Sequence, residues 1–393
     1  MTDCGKSICF LITGLNVGGA EVQVVSVAKR LRSLGWDPSV VSMLPANGRL
    51  ADELGSHDVE VYSLNMRQGI PDPSAIFRLV AILRRLRPVI LHSHMVHANL
   101  LARIVKLFWR GPKVVCTIHS GNECGWFRQL AYRATDAIPE LTSTVSRAMG
   151  IRYVQSRAVS SSKMRVLPNG VDTARFCPDL QARTATRTSL RLDSQFTWLA
   201  VGRFELPKDY PNMLRAFSQL RHPNTVLLIA GVGPLQAKAE SLIQELGIGD
   251  RVRLLGLRSD IPELMNAADA YVMSSQWEGL PMVLLEAAAT GLPIVSTRVG
   301  GTGEVVLDGK TGVLVDPQDS GALAAGMEYL MDIDGGQSLE MRQAAREHIL
   351  ENYSLDAIVT LWESIYRNLL AVKEPDCACN ETILKSNQSA PPQ

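Results

Sequence analysis

The chain has 393 residues, 46% hydrophobic and 20% charged, which excludes a disordered or fibrous protein and suits two domains of about 100–200 residues each. No apolar run approaches the ~18–20 residues that cross a bilayer, and the seven cysteines form no paired CxxC set, so no membrane span, zinc site or disulfide framework is expected. The net charge of +1 conceals a division: residues 1–177 hold 22 Lys+Arg against 12 Asp+Glu, the remainder 18 against 27, so one half is expected to face something anionic.

In chain order, apolar runs at 8–15, 38–44, 59–64, 89–94, 113–120 and 141–146 predict strands. Amphipathic segments near 20–34, 74–87, 96–109 and 126–136 predict helices between most of them. The first run, ICFLITGL, is read as a strand rather than a secretory leader because glycines and an amphipathic helix follow it directly. Ser, Pro, Gly and Asp cluster in 160–179, which predicts a linker. The alternation then restarts, with strands at 196–204, 225–233, 252–257, 270–275, 293–299 and 312–316. Helices are expected near 211–220, 235–246, 261–267, 281–290, 320–331 and 338–350, with a last amphipathic segment at 355–372 and a disordered tail over 374–393. Such repetition predicts two Rossmann-like α/β domains, 1–177 and 178–354, each with a parallel sheet. Open α/β sheets bind ligands at the carboxyl ends of their strands, so the site is expected in a cleft between the two halves.

The basic residues gather in IFRLVAILRRLRP (76–88) and NLLARIVKLFWRG (99–111), which alternate apolar and cationic residues at helical spacing. Helices lying on an anionic membrane surface have this pattern, and so do ordinary surface helices with a buried stripe. Aromatics are few and no nucleic-acid motif is present, so nucleic acid is not an expected partner. Scattered cysteines suit a reducing compartment, and the chain is expected in the cytoplasm, peripheral on the inner face of the membrane.

Gly18 and Gly19 follow the first strand and open a helix whose amides favour an anion, although a tight turn also calls for glycine. Arg203 leaves the first strand of the second half and Lys208 follows five residues on, a pair that suits a diphosphate or, more plainly, two solvated loop cations. In SQWEGLPMVLLEAAATGLP (275–293), Pro281 is expected at the first helical position, with the amides of Met282 and Val283 aimed at a phosphate. Glu286, one turn on, can accept two hydrogen bonds from a ribose diol, and Glu278 lies further into the cleft where a sugar ring would sit. His92, His94 and His97 invite a metal reading, but no carboxylate or cysteine completes a set, and DIDGG (332–336) falls in a loop between helices rather than at a strand end.

The Glu278-x7-Glu286 spacing comes with the GRFELPK segment, GGAE, PNGVD, GVGP (231–234), RLLGLRSDIPELMNAADAYVMSS and EVVLDGKTGVLV (304–315). In that order, over about residues 6–370, the chain resembles the retaining glycosyltransferases of family 4. The resemblance implies the GT-B architecture, with the segment 355–372 crossing back to the N-terminal domain. It implies a nucleotide-sugar donor, UDP- or GDP-linked, held mostly by the second domain, and a glycan or lipid-linked acceptor met by the first. On this resemblance Glu286 holds the ribose, Glu278 contacts the transferred sugar, Arg203 and Lys208 take the diphosphate, and Leu257 and Arg258 lie near the base. His119 would point into the cleft from the first domain, and Gly18 and Gly19 would let phosphate approach the backbone. Neither a cofactor nor a metal is expected, since cations and helix dipoles offset the leaving charge; no side chain stands out as a nucleophile, so Glu278 and His119 are assigned positioning and electrostatic roles. One departure matters: a glycine commonly follows the family's phosphate-binding lysine, and this chain has Asp209. A sugar-nucleotide epimerase, a phosphorylase and a non-catalytic nucleotide-sugar-binding partner are the competing readings; an NAD-dependent oxidoreductase is disfavoured by the lack of GxGxxG in either half.

Overall fold

The computed structural model describes residues 6–16, 18–109, 111–120 and 125–371, and the tail expected to be disordered lies outside them. The first half runs β1 (Ser7–Ile12), α1 (Gly19–Ser33), β2 (Asp37–Ser42), α2 (Arg49–Gly55), β3 (Glu60–Ser63), α3 (Ser74–Leu86), β4 (Ile90–His94), α4 (Val96–Phe108), β5 (Lys113–Ile118), α5 (Trp126–Ala134), β6 (Leu141–Thr144), α6 (Arg147–Gln155) and β7 (Met164–Val166). The second runs α7 (Leu180–Ser189), β8 (Phe196–Val201), α8 (Tyr210–Ser218), β9 (Thr225–Ala230), α9 (Gln236–Glu245), β10 (Val252–Gly256), α10 (Ile261–Ala267), β11 (Ala270–Met273), α11 (Met282–Ala289), β12 (Ile294–Thr297), α12 (Thr302–Val305), β13 (Gly312–Val315), α13 (Ser320–Asp332) and α14 (Gly335–Asn352). A final helix, α15, spans Leu355–Ala371.

Both sheets are parallel, ordered β3-β2-β1-β4-β5-β6-β7 and β10-β9-β8-β11-β12-β13. Helices cover both faces, which is why the strands read as continuous apolar runs rather than alternating ones. Each sheet reverses its winding once, between β1 and β4 and between β8 and β11. Loops leaving neighbouring strands at such a point part to opposite faces and leave a crevice. Every expected strand is present but most are shorter than their apolar run: β1 stops at Ile12 and β8 at Val201, where the chain leaves the sheet to line the cleft.

Four helices and one strand escaped the pattern. α2 and α12 are short, α7 buries no residue and so has no apolar stripe, and α6 starts at Arg147, directly after a residue that the sequence pattern places at a strand end. The Ser146 hydroxyl caps α6 by accepting from the Met149 amide at 3.4 Å. The expected linker at 160–179 is instead packed structure. It contains β7, Val171 bridges to Ser354, and Asn169 donates to the Leu280 carbonyl at 3.1 Å. Its Pro-Asn-Gly serves a tight crossing: a Cβ on Gly170 would come within 2.9 Å of the Leu355 backbone.

α15 returns to the first sheet, where Ile358, Val359, Trp362 and Tyr366 join the core formed by Ile8, Phe10 and the buried face of α1. Beneath the cleft one apolar cluster spans both sheets' surroundings, with Ile118, Val145 and Met149 packed among Met273, Leu280, Met282 and Val305. No helix among the described residues is long and apolar enough to cross a membrane.

Candidate active site

The loop after β8 and the loop after β11 leave neighbouring strands and are stitched together. The Ser274 hydroxyl donates to the carbonyls of Lys208 (2.8 Å) and Asp209 (2.9 Å), and the Gln276 amide to that of Pro207 (2.8 Å). These three bonds close a seam, so the turn Leu206–Lys208 and the stretch carrying Glu278 move as one unit. Lys208 Nζ lies 2.6 Å from Glu278 Oε1, and the Ser275 hydroxyl donates to the same oxygen at 2.8 Å. Glu278 is 14% exposed, and these two donors fix its direction at the cleft. Arg203 is 63% exposed and pairs with Glu205 at 2.5 Å.

Asp209 explains the departure at that position. Its φ of 46° and ψ of 49° are left-handed, the conformation for which glycine is the cheapest residue and aspartate one of the more tolerant alternatives. A backbone requirement, rather than a phosphate contact, accounts for the choice.

α11 begins at Met282. Pro281 is its N-cap with extended ψ of 118°, not the first helical residue as the sequence suggested, because its carbonyl already accepts from Leu284. No side chain caps this terminus, so its first-turn amides keep their partial positive charge at the cleft. Met282 is buried against the N-terminal half: a Cβ on Gly19 would sit 3.4 Å from Met282 Cγ. Val283 is partly buried against the cluster beneath. Glu286, one turn on, is partly exposed, and burial raises its carboxyl to about 7, with Arg175 opposing the rise.

Two close approaches occur at this point, the first of them between the halves. A Cβ on Gly279 would lie 2.0 Å from the His119 carbonyl oxygen, and one on Gly300 would lie 2.0 Å from that of Glu278. Any side chain at either position would push the Glu278 loop out of place. Gly18, the N-cap of α1, lies under the Glu21 carboxylate, whose pKa is raised by burial and lowered in part by its own amide and by Arg203.

His119 follows β5. Its Nε2 is 2.9 Å from Nδ1 of His94, at the end of β4, and the His92 and His94 rings meet at a tilt with centroids 4.1 Å apart. His92 in turn meets Tyr366 Oη through Nδ1 and Thr117 Oγ1 through Nε2, both at 2.7 Å. Burial depresses all three imidazoles, His119 to about 4, so the cluster is neutral at pH 7. His97 is exposed on α4 and does not join it, and no group of three His, Cys, Asp or Glu side chains is placed to hold a metal ion among the described residues.

Leu257 and Arg258 follow β10, an edge strand, two strands from β8. Leu257 is 72% exposed, and Arg258 Nε donates to Asp260 at 2.7 Å. The structure therefore unites Gly19 with Met282, Lys208 with Glu278 and His119 with the Gly279 loop, while Leu257 and Arg258 stand at the rim.

Sequence reasoning missed Glu304. Its carboxylate accepts from the Arg147 amide (2.8 Å) and the Ala148 amide (3.4 Å), the first turn of α6 in the other half. Its carbonyl accepts from His348 Nε2 (2.9 Å) and Tyr353 Oη (2.8 Å). The VGGTGE run was the available signal, but nothing local says what the glutamate reaches.

Two facing parallel α/β units with cations, carboxylates and an uncapped helix start at their shared cleft define a GT-B protein. The model for glycosyl transferases group 1 matches residues 183–348, and that for glycosyltransferase family 4 matches residues 17–175. The chain belongs to this glycosyltransferase family and is a transferase. It is 27% identical over 386 residues to a glycogen synthase of Mycobacterium tuberculosis, covering 92% of this chain and 90% of the relative. It is 32% identical over 260 residues to a GDP-mannose-dependent alpha-(1-6)-phosphatidylinositol monomannoside mannosyltransferase of Mycolicibacterium smegmatis, covering 61% of this chain and 66% of the relative. The crystal structure of Anabaena HepE in complex with UDP-glucose superposes with a TM-score of 0.83 at 22% identity, covering 92% of this chain and 99% of that one. That likeness confirms the fold.

Proposed function

We propose that the protein transfers a sugar, with retention, from a UDP- or GDP-linked donor to a growing lipid-linked glycan such as exopolysaccharide or lipopolysaccharide. The observation that carries this reading is the convergence of Arg203, Lys208, Glu278, Glu286 and the uncapped start of α11 on the crevice between β8 and β11. Arg203, Lys208 and the α11 amides neutralise the diphosphate as the sugar–phosphate bond loosens. Glu286 accepts the ribose hydroxyls, Glu278 orients the transferred sugar, and His119 approaches it from the other half. On this reading the reaction calls for neither cofactor nor metal, because these cations and amides stand where the leaving charge develops. Support for the donor class comes from the mycolicibacterial relative, named for GDP-mannose, and from the HepE complex with UDP-glucose.

The same relative is named for a phosphatidylinositol mannoside, which supports a lipid-linked acceptor. A peripheral place on an anionic membrane is supported by the neighbouring helices α3, α4 and α5, which expose Phe77, Leu107, Phe108, Trp126 and Phe127 beside Arg84 and Arg85. Thermal unfolding with UDP, GDP, ADP and NAD in parallel tests the donor assignment. A nucleoside diphosphate at ~100 times its dissociation constant stabilises by about 2.7 kcal/mol. A response to UDP or GDP supports the reading; a response to NAD alone, or to none, refutes it. Sedimentation with phosphatidylglycerol vesicles, compared for the native chain and a variant with Arg84, Arg85 and Arg87 changed to Ser, tests the membrane assignment, and equal sedimentation refutes it.

A further inference from the structure

We propose that the second half carries a further small-molecule site, for a small organic carboxylate, in the cavity walled by α7, α10 and α14. The cavity encloses about 310 Å³, at the lower end of the range for small-molecule sites. Arg183 of α7, Met265 of α10 and Arg342 of α14 line it, together with Ala268 and Leu292. Leu292 precedes β12, and Ala268 precedes β11, so the cavity lies at the amino ends of these strands. Lys208 and Glu278 follow β8 and β11, at the carboxyl ends. The site is therefore separate from the cleft, and it does not depend on the donor reading.

The lining has the two parts that an organic anion needs. Met265, Ala268 and Leu292 are buried and present an apolar surface. Leu180, at the mouth, is 77% exposed, an apolar side chain left in solvent beside the cavity. The cationic part is Arg183 and Arg342. Asp269 Oδ1 accepts from Arg183 Nη2, and its Oδ2 accepts from Arg187 Nη1 at 3.2 Å and from the Thr197 amide at 2.8 Å. One carboxylate thus serves two arginines and has nothing left for Arg342. That residue reaches only backbone carbonyls, of Asp269 at 2.6 Å and of Gly291 at 3.4 Å, and pairs with no carboxylate among the described residues. Asp179 at the rim is exposed, and its Oδ1 is occupied by the amides of Gln181 and Ala182. Arg183, Arg187 and Arg342 outnumber these two aspartates, and the single excess charge matches a carboxylate head.

Capping of the end of α11 is the plainer use for such arginines, and it accounts for Arg346, which donates to the carbonyls of Ala289 and Phe176. It leaves Arg342 unexplained, since Gly291 lies past the helix end and the bond to it is long. A guanidinium has five N–H donors, so two hydrogen bonds leave most of this fork for a ligand. Burial lowers the Arg342 pKa, with Asp269 opposing the fall and Arg183 adding to it, and an incoming anion would reverse that direction.

Fluorine NMR of 4-fluorobenzoate with the full chain tests the site, line broadening at millimolar probe being the expected sign of binding. The neutral isostere 4-fluorobenzyl alcohol is expected to give little broadening, and inorganic phosphate to displace the benzoate poorly. Saturating UDP and GDP should leave the signal unchanged. Arg342→Gln, whose amide can still donate to the Asp269 carbonyl, should weaken binding about 10–100-fold, the loss of a charge-assisted hydrogen bond. Leu180→Glu puts a negative charge at the mouth from an exposed position that tolerates it in folding, and should weaken binding several-fold, more at low salt than at high. Absence of broadening overturns the proposal, as does native affinity in Leu180→Glu or in folded Arg342→Gln. Equal binding of the alcohol would remove the charged head, equal binding of phosphate the apolar contact, and displacement by UDP or GDP would move the probe to the cleft; each of these also overturns it.

Discussion

Glu286 is the residue at which stability and donor binding are expected to oppose each other. Burial holds its carboxyl at about 7 against an ordinary value of 4.5. Each pH unit between those values corresponds to about 1.4 kcal/mol, so the ionised form costs the fold at most about 3 kcal/mol. Water reaching this partly exposed side chain trims that to about 1–3 kcal/mol. The unfolded chain loses its proton first as pH rises, so this contribution destabilises progressively from about pH 4.5 to 7 and stays at its full cost above that. Glu286→Gln removes the charge at all pH values. Its advantage over the native chain, measured by urea unfolding, is therefore expected to be near zero at pH 4.5 and to reach about 1–3 kcal/mol at pH 8. The same change should weaken the stabilising nucleotide by about 10–100-fold, because a hydrogen bond to a charged acceptor is worth about 1.5–3 kcal/mol. An advantage that is the same at both pH values would refute the burial argument, and unchanged nucleotide affinity would refute the ribose contact.

Asp209→Gly should raise stability by about 0.5–1 kcal/mol, since it relieves a left-handed backbone at some cost in unfolded-state entropy; a lower thermal midpoint would sink this. Glu304→Ala leaves two first-turn amides of α6 without their acceptor and should cost about 1 kcal/mol while increasing the radius of gyration measured by X-ray scattering; no change in either would mean the cross-cleft cap is not used in solution. Glu205→Gln frees Arg203 from an exposed pair worth about 0–1 kcal/mol and should tighten nucleoside diphosphate binding by up to about fivefold, whereas weaker binding by calorimetry would contradict the competition.

The parallel sheets were legible because strands covered on both faces must be apolar throughout, and helices with one buried face carry a stripe at helical spacing. The same logic hid α7, which has no buried residue, and lengthened β1 and β8, whose apolar runs continue into Leu15 and Phe204, buried beyond the strand ends. The Glu278–Glu286 spacing spoke for itself because both residues lie on one loop and helix. Glu304 did not, since its partners Arg147 and Ala148 stand 157 and 156 positions away and are backbone amides without a side-chain signature. His94 was visible, but its proximity to two other histidines suggested a metal. Only the strand order shows that β4 and β5 are neighbours, which sets His94 against His119 and leaves His97 on the exposed face of α4.

The cations of the cleft are each matched to a carboxylate, Arg203 to Glu205 and Lys208 to Glu278. Such pairing opposes both charges, and it also selects what can displace the carboxylates. A neutral sugar cannot compete for either cation; a diphosphate can engage both, adding the amides of α11 as a third contact. Lys208 has three donor hydrogens and Glu278 a second donor in Ser275, so a phosphate can share the lysine without casting the glutamate loose. Glu278 would then keep its orientation while its remaining lone pairs turn to the sugar. On the proposed function, nucleotide recognition and sugar positioning would in this way be one event, made so by the hydrogen bonds from Ser274 and Gln276 that tie the two loops.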